Sequence, residues 1–136
     1  MGRSVCSTSH PFAAQAGLRA MQMGGNAVDA AIATAAALCI VEPVSNGLGS
    51  DCFAIVWDGK GLHGLNASGH SPKSWSFDYF EGKYGLAGND EVRRPMRGWD
   101  TVTVPGAVAG WQALHSKWGS LSLDELLGPA IEIAEH

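Results

Sequence analysis

The sequence has little charge, and it lacks a cluster of positive residues large enough to neutralise a nucleic-acid backbone. Only 16% of its 136 residues are charged, and the formal net charge is −4 with histidine neutral. Arg93, Arg94 and Arg97 are clustered in a polar stretch, which we interpret as a solvated loop or, alternatively, as a loop that contacts an anion. This charge balance argues against a nucleic-acid partner.

Cysteine is also scarce. Cys6, Cys39 and Cys52 are odd in number, which argues against a disulfide framework. No set of histidine, cysteine, aspartate and glutamate has the spacing of a metal site, so we predict neither a metal nor another cofactor. The longest apolar run, 30–41, is shorter than the roughly 20 residues that a membrane helix needs, so we predict no membrane span.

Signals are missing at both ends of the sequence. The opening stretch MGRSVCSTSHP lacks the apolar segment of a secretory signal, from which we expect a cytoplasmic protein. The last predicted helix reaches His136 without a C-terminal cap, from which we expect a truncated chain.

Glycine, by contrast, is abundant, with 18 residues in a chain that is 46% hydrophobic. Pro11 suits the first turn of a helix that Ser9 or His10 would cap, and Gly24 and Gly25 would end this helix. We expect its apolar face to be formed by Phe12, Ala16, Leu18, Met21 and Met23. The sequence therefore predicts a tight corner after the first helix.

A second helix is predicted to begin at Asn26, with Asp29 completing a capping box, and to end at Glu42. Alternating or apolar stretches predict strands at 4–9, 53–57, 62–66 and 101–104, the middle two joined by a hairpin turn. Further helices are predicted around 77–81, at 107–118 and after Ser122. The mixture indicates an α+β fold.

Residue chemistry alone gives no complete active site. The adjacent Ser9 and His10 are interpreted as a helix cap, because adjacency in sequence does not build a catalytic triad. His63, on a predicted strand, is interpreted as a surface or packing residue. Cys52 has no basic neighbour in the sequence that would lower its pKa, and GLGS lacks the end of a phosphate-binding loop.

Four segments, taken together and in order, are more specific: GGNAVDAA, EP followed by GLG, FAIVWD, and VTVPGAVAGWQALHSKWGSLSLDELLGPAIEIAEH. In these the sequence resembles the gamma-glutamyltranspeptidase (glutathione hydrolase) family over nearly its whole length. The resemblance implies an αββα sandwich of the N-terminal nucleophile hydrolase type, of which 1–136 would be the N-terminal fragment of the large subunit.

The same resemblance implies the chemistry. A precursor would cleave itself before a threonine, whose hydroxyl then attacks a gamma-glutamyl amide to form an acyl-enzyme. That threonine and the oxyanion-stabilising glycines would lie beyond His136, in a small subunit. The implied partners are therefore the remainder of the large subunit, the small subunit and a small-molecule amide, and this chain alone is predicted to be inactive.

One position departs from the family pattern. Typical members carry an arginine that pairs with the substrate α-carboxylate, and Ser68 occupies its place here, within LNASGHSP. A serine cannot supply the bidentate cationic fork. A less characterised branch resembles this stretch but has its arginine at the place of His70. His70 is thus either a weaker, pH-dependent carboxylate partner or an ordinary loop residue.

The sequence therefore predicts Ser68 and His70 as substrate-binding residues, and no catalytic residue within the chain. The leading hypothesis for function is hydrolysis or transfer of gamma-glutamyl groups from glutathione-type amides. An acylase that acts on other acyl amides is the first alternative. A non-catalytic, truncated remnant is the second.

Overall fold

The computed structural model describes residues 3–88 and 91–136 as four long helices, a β-hairpin and a shorter helix. The elements in chain order are α1 (Pro11–Gln22), α2 (Ala27–Val41), β1 (Cys52–Trp57), β2 (Leu62–Ala67), α3 (Phe77–Tyr84), a single 3₁₀ turn (Trp99–Thr101), α4 (Ala107–Trp118) and α5 (Leu123–Glu135).

The corner between α1 and α2 forms as predicted. The side chain of His10 accepts a hydrogen bond from the amide of Phe12, at 3.3 Å, and caps α1. Gly24 follows the end of the helix with φ of +97°, a conformation that suits glycine. Asn26 then caps α2 and forms the predicted capping box with Asp29.

The buried face of α1 consists of small residues, and the predicted apolar face is wrong for Phe12, Leu18 and Met23, which are exposed. The buried residues of α1 are Ala13, Ala16, Gly17 and Ala20. A Cβ on Gly17 would overlap the Thr34 hydroxyl of α2. The two helices lie so close together that only small side chains fit between them.

Helix α2 is the centre of the helical layer, since it packs against α1, α4 and α5. Its one buried carboxylate, Asp29, is fully inaccessible to solvent. This carboxylate accepts hydrogen bonds from the amides of Asn26, at 2.8 Å, and Ser120, at 3.0 Å. It therefore ties the start of α2 to the turn between α4 and α5.

The hairpin confirms the two central strands of the prediction, with Cys52 paired to Ala67 and Trp57 to Leu62 in antiparallel register. Its inner face packs against the helical core through Cys52, Ala54, Val56 and Leu65. Its outer face is apolar but exposed, with Phe53, Ile55, Trp57 and Leu62 each at least 65% accessible. The hairpin therefore has one covered and one open apolar face.

The turn of the hairpin is held by Asp58. Its carboxylate accepts hydrogen bonds from the amides of Gly61 and Lys60, both at 2.8 Å, and contacts His63. These donors, the two amides foremost, lower the pKa of Asp58 to about 2.

Two predicted strands are absent from the described part of the chain. Residues 4–9 pair with no strand, and 101–104 begins as the end of the 3₁₀ turn. Helices α4 and α5 are confirmed, and Ser122 and Glu125 form a capping box at the start of α5. Among the described residues, no helix is long and apolar enough to cross a membrane.

Candidate functional site

The predicted site residues Ser68 and His70 lie in one loop, directly after β2. Ser68 is half-buried and His70 is exposed. The amide of Ser68 donates to the side-chain oxygen of Asn66 at 3.0 Å, and its carbonyl accepts from the Thr103 hydroxyl at 2.8 Å. The amide of Val104 donates to the carbonyl of His70 at 2.9 Å. The loop backbone is therefore fixed on both sides of Gly69.

Gly69 makes this close approach possible. Its φ is +78°, and a Cβ at this position would overlap the carbonyl oxygen of Val104. Gly106 is equally restricted, because a Cβ there would overlap the carbonyl oxygen of Ala67. Two glycines thus let the loop after β2 run against the segment that leads into α4.

A third segment joins them from the loop before β1. The carbonyl of Ser50 accepts hydrogen bonds from the amides of Gly106, at 3.2 Å, and Ala107, at 2.9 Å, at the start of α4. The Thr103 hydroxyl also lies 3.5 Å from a carboxylate oxygen of Asp51. Three chain segments therefore meet around Thr103, a residue that the sequence analysis had assigned to a strand and not to the site.

Other chemistry-bearing residues have structural roles here. His10 caps α1, and the ring of His63 packs edge-on against Trp118 at 5.2 Å between centroids. Burial raises the pKa of the Cys39 and Cys52 thiols, which makes both poor nucleophiles at neutral pH. Among residues 3–88 and 91–136, no three histidine, cysteine, aspartate or glutamate side chains are grouped as metal ligands.

Comparison with known proteins identifies the family of this chain. The family model described as gamma-glutamyltranspeptidase matches residues 13–136. The chain belongs to the gamma-glutamyltranspeptidase family. All of this chain aligns, at 38% identity, with 26% of the glutathione hydrolase-like YwrD proenzyme of Bacillus subtilis. The chain spans about a quarter of the length of the curated relatives it matches.

Solved structures of this family agree with the fold. The gamma-glutamyltranspeptidase of Helicobacter pylori superposes with a TM-score of 0.84 at 30% identity, covering 98% of this chain and 38% of that one. The cephalosporin acylase of Bacillus halodurans superposes with a TM-score of 0.81 at 43% identity, covering 99% of this chain and 27% of that one. The α+β fold of the N-terminal nucleophile hydrolase type is therefore confirmed. The part that Ser68 and His70 play in substrate binding stays a prediction.

In this member of the gamma-glutamyltranspeptidase family, we expect Thr103→Val to lower the free energy of unfolding by about 1 kcal/mol, because the Ser68 carbonyl loses its hydroxyl donor. Thr103→Ser keeps a hydroxyl and should cost less than half as much. Urea denaturation of the two variants and the wild type measures the difference. A loss in Thr103→Ser without a loss in Thr103→Val would mean that the methyl group, and not the hydrogen bond, matters at this position.

Proposed function

We propose that this chain is the N-terminal part of the large subunit of a self-processing enzyme that hydrolyses or transfers gamma-glutamyl groups from glutathione-type amides. The observation that carries the proposal is the family match over residues 13–136. It is supported by the similarity to the glutathione hydrolase-like proenzyme, of which this chain covers 26%. Such a fraction is consistent with one part of a larger precursor.

The proposed reaction proceeds through a threonine outside this chain, which becomes an N-terminus when the precursor is cleaved. Its hydroxyl oxygen adds to the amide carbonyl carbon while its own α-amine takes the proton. The amide C–N bond then breaks, the leaving amine receives the proton, and an acyl ester remains on the threonine. Water or the amine of an amino acid accepts the acyl group. This chain, which lacks the nucleophile, is expected to be inactive alone.

This chain would contribute a fixed wall that contacts the acyl group. The loop that carries Ser68 and His70 is fastened by Asn66, Thr103 and Val104, so its backbone needs no rearrangement on binding. A protonated His70 would attract the α-carboxylate of a gamma-glutamyl group, and Ser68 would offer a neutral hydrogen bond.

The proposed protein partners are the remainder of the large subunit and the small subunit. The open face of the hairpin supports this proposal, because Phe53, Ile55 and Trp57 are at least 65% exposed there. An apolar strand face of this kind gains stability when another layer covers it. In an αββα sandwich that layer is the second sheet.

An acylase that acts on other acyl amides is the second candidate. It is favoured by the absence of an arginine at Ser68, since a serine cannot pair in bidentate fashion with a carboxylate. The 43% identity to the cephalosporin acylase of Bacillus halodurans supports it as well. The two candidates share the nucleophile and differ in the acyl group that the loop receives.

Chromogenic anilides test the proposal on the self-processed enzyme that contains this chain. The gamma-glutamyl and 4-aminobutyryl anilides of p-nitroaniline differ only in the α-carboxylate. We expect turnover of the gamma-glutamyl anilide, and we expect His70→Arg or Ser68→Arg to raise its kcat/KM about tenfold through a bidentate pair. The 4-aminobutyryl anilide should gain nothing.

Ser71→Arg is the matched control, because it adds the same charge to an exposed neighbour in the same loop. A gain of equal size in this control would mean that net charge, and not the site, attracts the substrate. Faster cleavage of a butyryl anilide than of the gamma-glutamyl anilide would favour the acylase. A protein that neither processes itself nor releases p-nitroaniline would be the non-catalytic remnant.

A further inference from the structure

A cavity lies apart from the loop of Ser68 and His70, between α3 and the stretch 91–101. Its volume is about 840 Å³, which is in the range of pockets that hold small molecules. Its lining residues are Trp75, Ser76, Phe77, Phe80, Glu91, Val92, Arg93, Arg94, Pro95, Asp100 and Thr101. No role in the proposed reaction has been assigned to this cavity.

One wall of the cavity is aromatic. The rings of Trp75 and Phe80 pack edge to face with centroids 5.4 Å apart, and Phe77 is more than half exposed beside them. Aromatic walls of this kind favour a flat, apolar ligand body, which can stack on one ring or meet its edge.

Two arginines, Arg93 and Arg94, also line the cavity. The stretch that bears them is held near α3, because the amide of Arg93 donates to the carbonyl of Gly85 at 3.1 Å and Leu86 pairs with Val92 in a β-bridge. Both arginine side chains are exposed. Within the described ranges 3–88 and 91–136, neither forms an ion pair.

The carboxylate of Asp100 does not cancel these positive charges, because three other groups already satisfy it. It accepts from Lys83 Nζ and the Tyr84 hydroxyl, each at 2.6 Å, and from the Tyr79 hydroxyl at 3.0 Å. Only 8% of its side chain is exposed. These donors, Lys83 foremost, hold its pKa below the ordinary value. The remaining charged lining residues are two arginines and Glu91, an excess of one positive charge.

We propose that this cavity binds a small organic anion with an aromatic body, of the aryl carboxylate class. A guanidinium fork pairs with a carboxylate through two parallel hydrogen bonds, and the aromatic lining residues contact the flat apolar part. The proposal does not depend on the identity of the proposed reaction, since no residue of the 68–70 loop lines the cavity.

Calorimetric titration of the full-length protein with 2-naphthoate tests the proposal, with neutral 2-naphthalenemethanol as a ligand of the same shape. We expect 2-naphthoate to bind with a dissociation constant below about 1 mM, and the neutral compound to bind at least tenfold more weakly. The double variant R93Q/R94Q should weaken naphthoate binding about tenfold or more, because it removes both forks and leaves the aromatic wall intact.

R97Q is the matched control. It removes an arginine charge from the same stretch, but Arg97 does not line the cavity, so naphthoate affinity should change less than twofold. If R97Q lost as much naphthoate affinity as R93Q/R94Q, the overall charge of the protein would explain the effect and the proposal would be overturned. Equal binding of both compounds, unaffected by R93Q/R94Q, would assign them to an apolar surface elsewhere and would also overturn the proposal. Absence of naphthoate binding would do the same.

Discussion

Gly69→Ala is expected to destabilise the protein by about 3 kcal/mol and to displace the loop that carries Ser68 and His70. Gly69 has φ of +78°, and the new Cβ would overlap the carbonyl oxygen of Val104. The loop would have to move away, which breaks the hydrogen bonds from Thr103 to Ser68 and from Val104 to His70. The strain of a left-handed alanine and two lost hydrogen bonds together account for this magnitude.

Gly59→Ala is the control for this prediction. Gly59 has a similar φ of +90° in the hairpin turn, but no atom lies within 4 Å of the position of its Cβ. Gly59→Ala would introduce the same backbone strain as Gly69→Ala but no overlap. It should therefore lower the free energy of unfolding by only about 1 kcal/mol. Urea denaturation of both variants gives the two values. If the two alanines cost the same, the close approach of the loop to Val104 contributes nothing to stability.

Asp29→Ala is expected to lower the free energy of unfolding by about 4 kcal/mol. The carboxylate is fully buried, and its loss leaves the amides of Asn26 and Ser120 without their acceptor. An amide that loses its partner costs up to about 1–3 kcal/mol, and the link from α2 to the turn between α4 and α5 is lost as well. Asp29→Asn keeps one acceptor oxygen and should cost about half as much.

The second capping box of the protein supplies the comparison. Glu125 accepts from the amide of Ser122 at 2.8 Å in the same geometry, but this box is exposed. Because water replaces the lost partner there, Glu125→Ala should cost only about 0.5–1 kcal/mol. Thermal or urea unfolding of both variants tests the difference. A loss at Glu125 as large as that at Asp29 would show that burial is not the cause.

Local signals in the sequence predicted the features whose causes are local. The helix cap, predicted at Ser9 or His10 and formed by His10, and the box of Asn26 and Asp29 depend on residues within three positions of one another. The hairpin likewise follows from two alternating stretches around a turn at Asp58. The structure agrees with the prediction at all of these places.

The errors arose where a distant partner decides the outcome. Residues 101–104 have strand-forming side chains, but the amides of Thr101 and Val102 donate within the 3₁₀ turn. Thr103 and Val104 instead donate to the carbonyls of Ser68 and His70, more than thirty positions earlier in the chain. The face of α1 is predicted wrongly in part because hydrophobicity favours Phe12 and Leu18, whereas the close approach of α2 selects Ala13 and Ala20.

The candidate site was predicted only in part, for the same reason. Ser68 and His70 are predicted as site residues because a family pattern marks their positions, and their role stays a prediction. The contributions of Thr103 and Asp51 depend on three segments that meet in space. The sequence marks Thr103 only weakly, as a threonine two residues before a Pro-Gly pair at the start of a helix. The four-residue cluster around Asp100 has no local signature at all.

The open face of the hairpin has a consequence for the unassembled chain. Strand β1 reads CFAIVW, six residues with high strand propensity and without charge, proline or glycine, which is the composition of segments that stack into fibrillar aggregates. Asp51 and Asp58 flank it directly. Like charges at both ends repel a second copy in register, and charged residues at such places act as gatekeepers against aggregation. Because the turn amides lower the pKa of Asp58, this gatekeeper keeps its charge at a lower pH than an ordinary aspartate while the turn is formed.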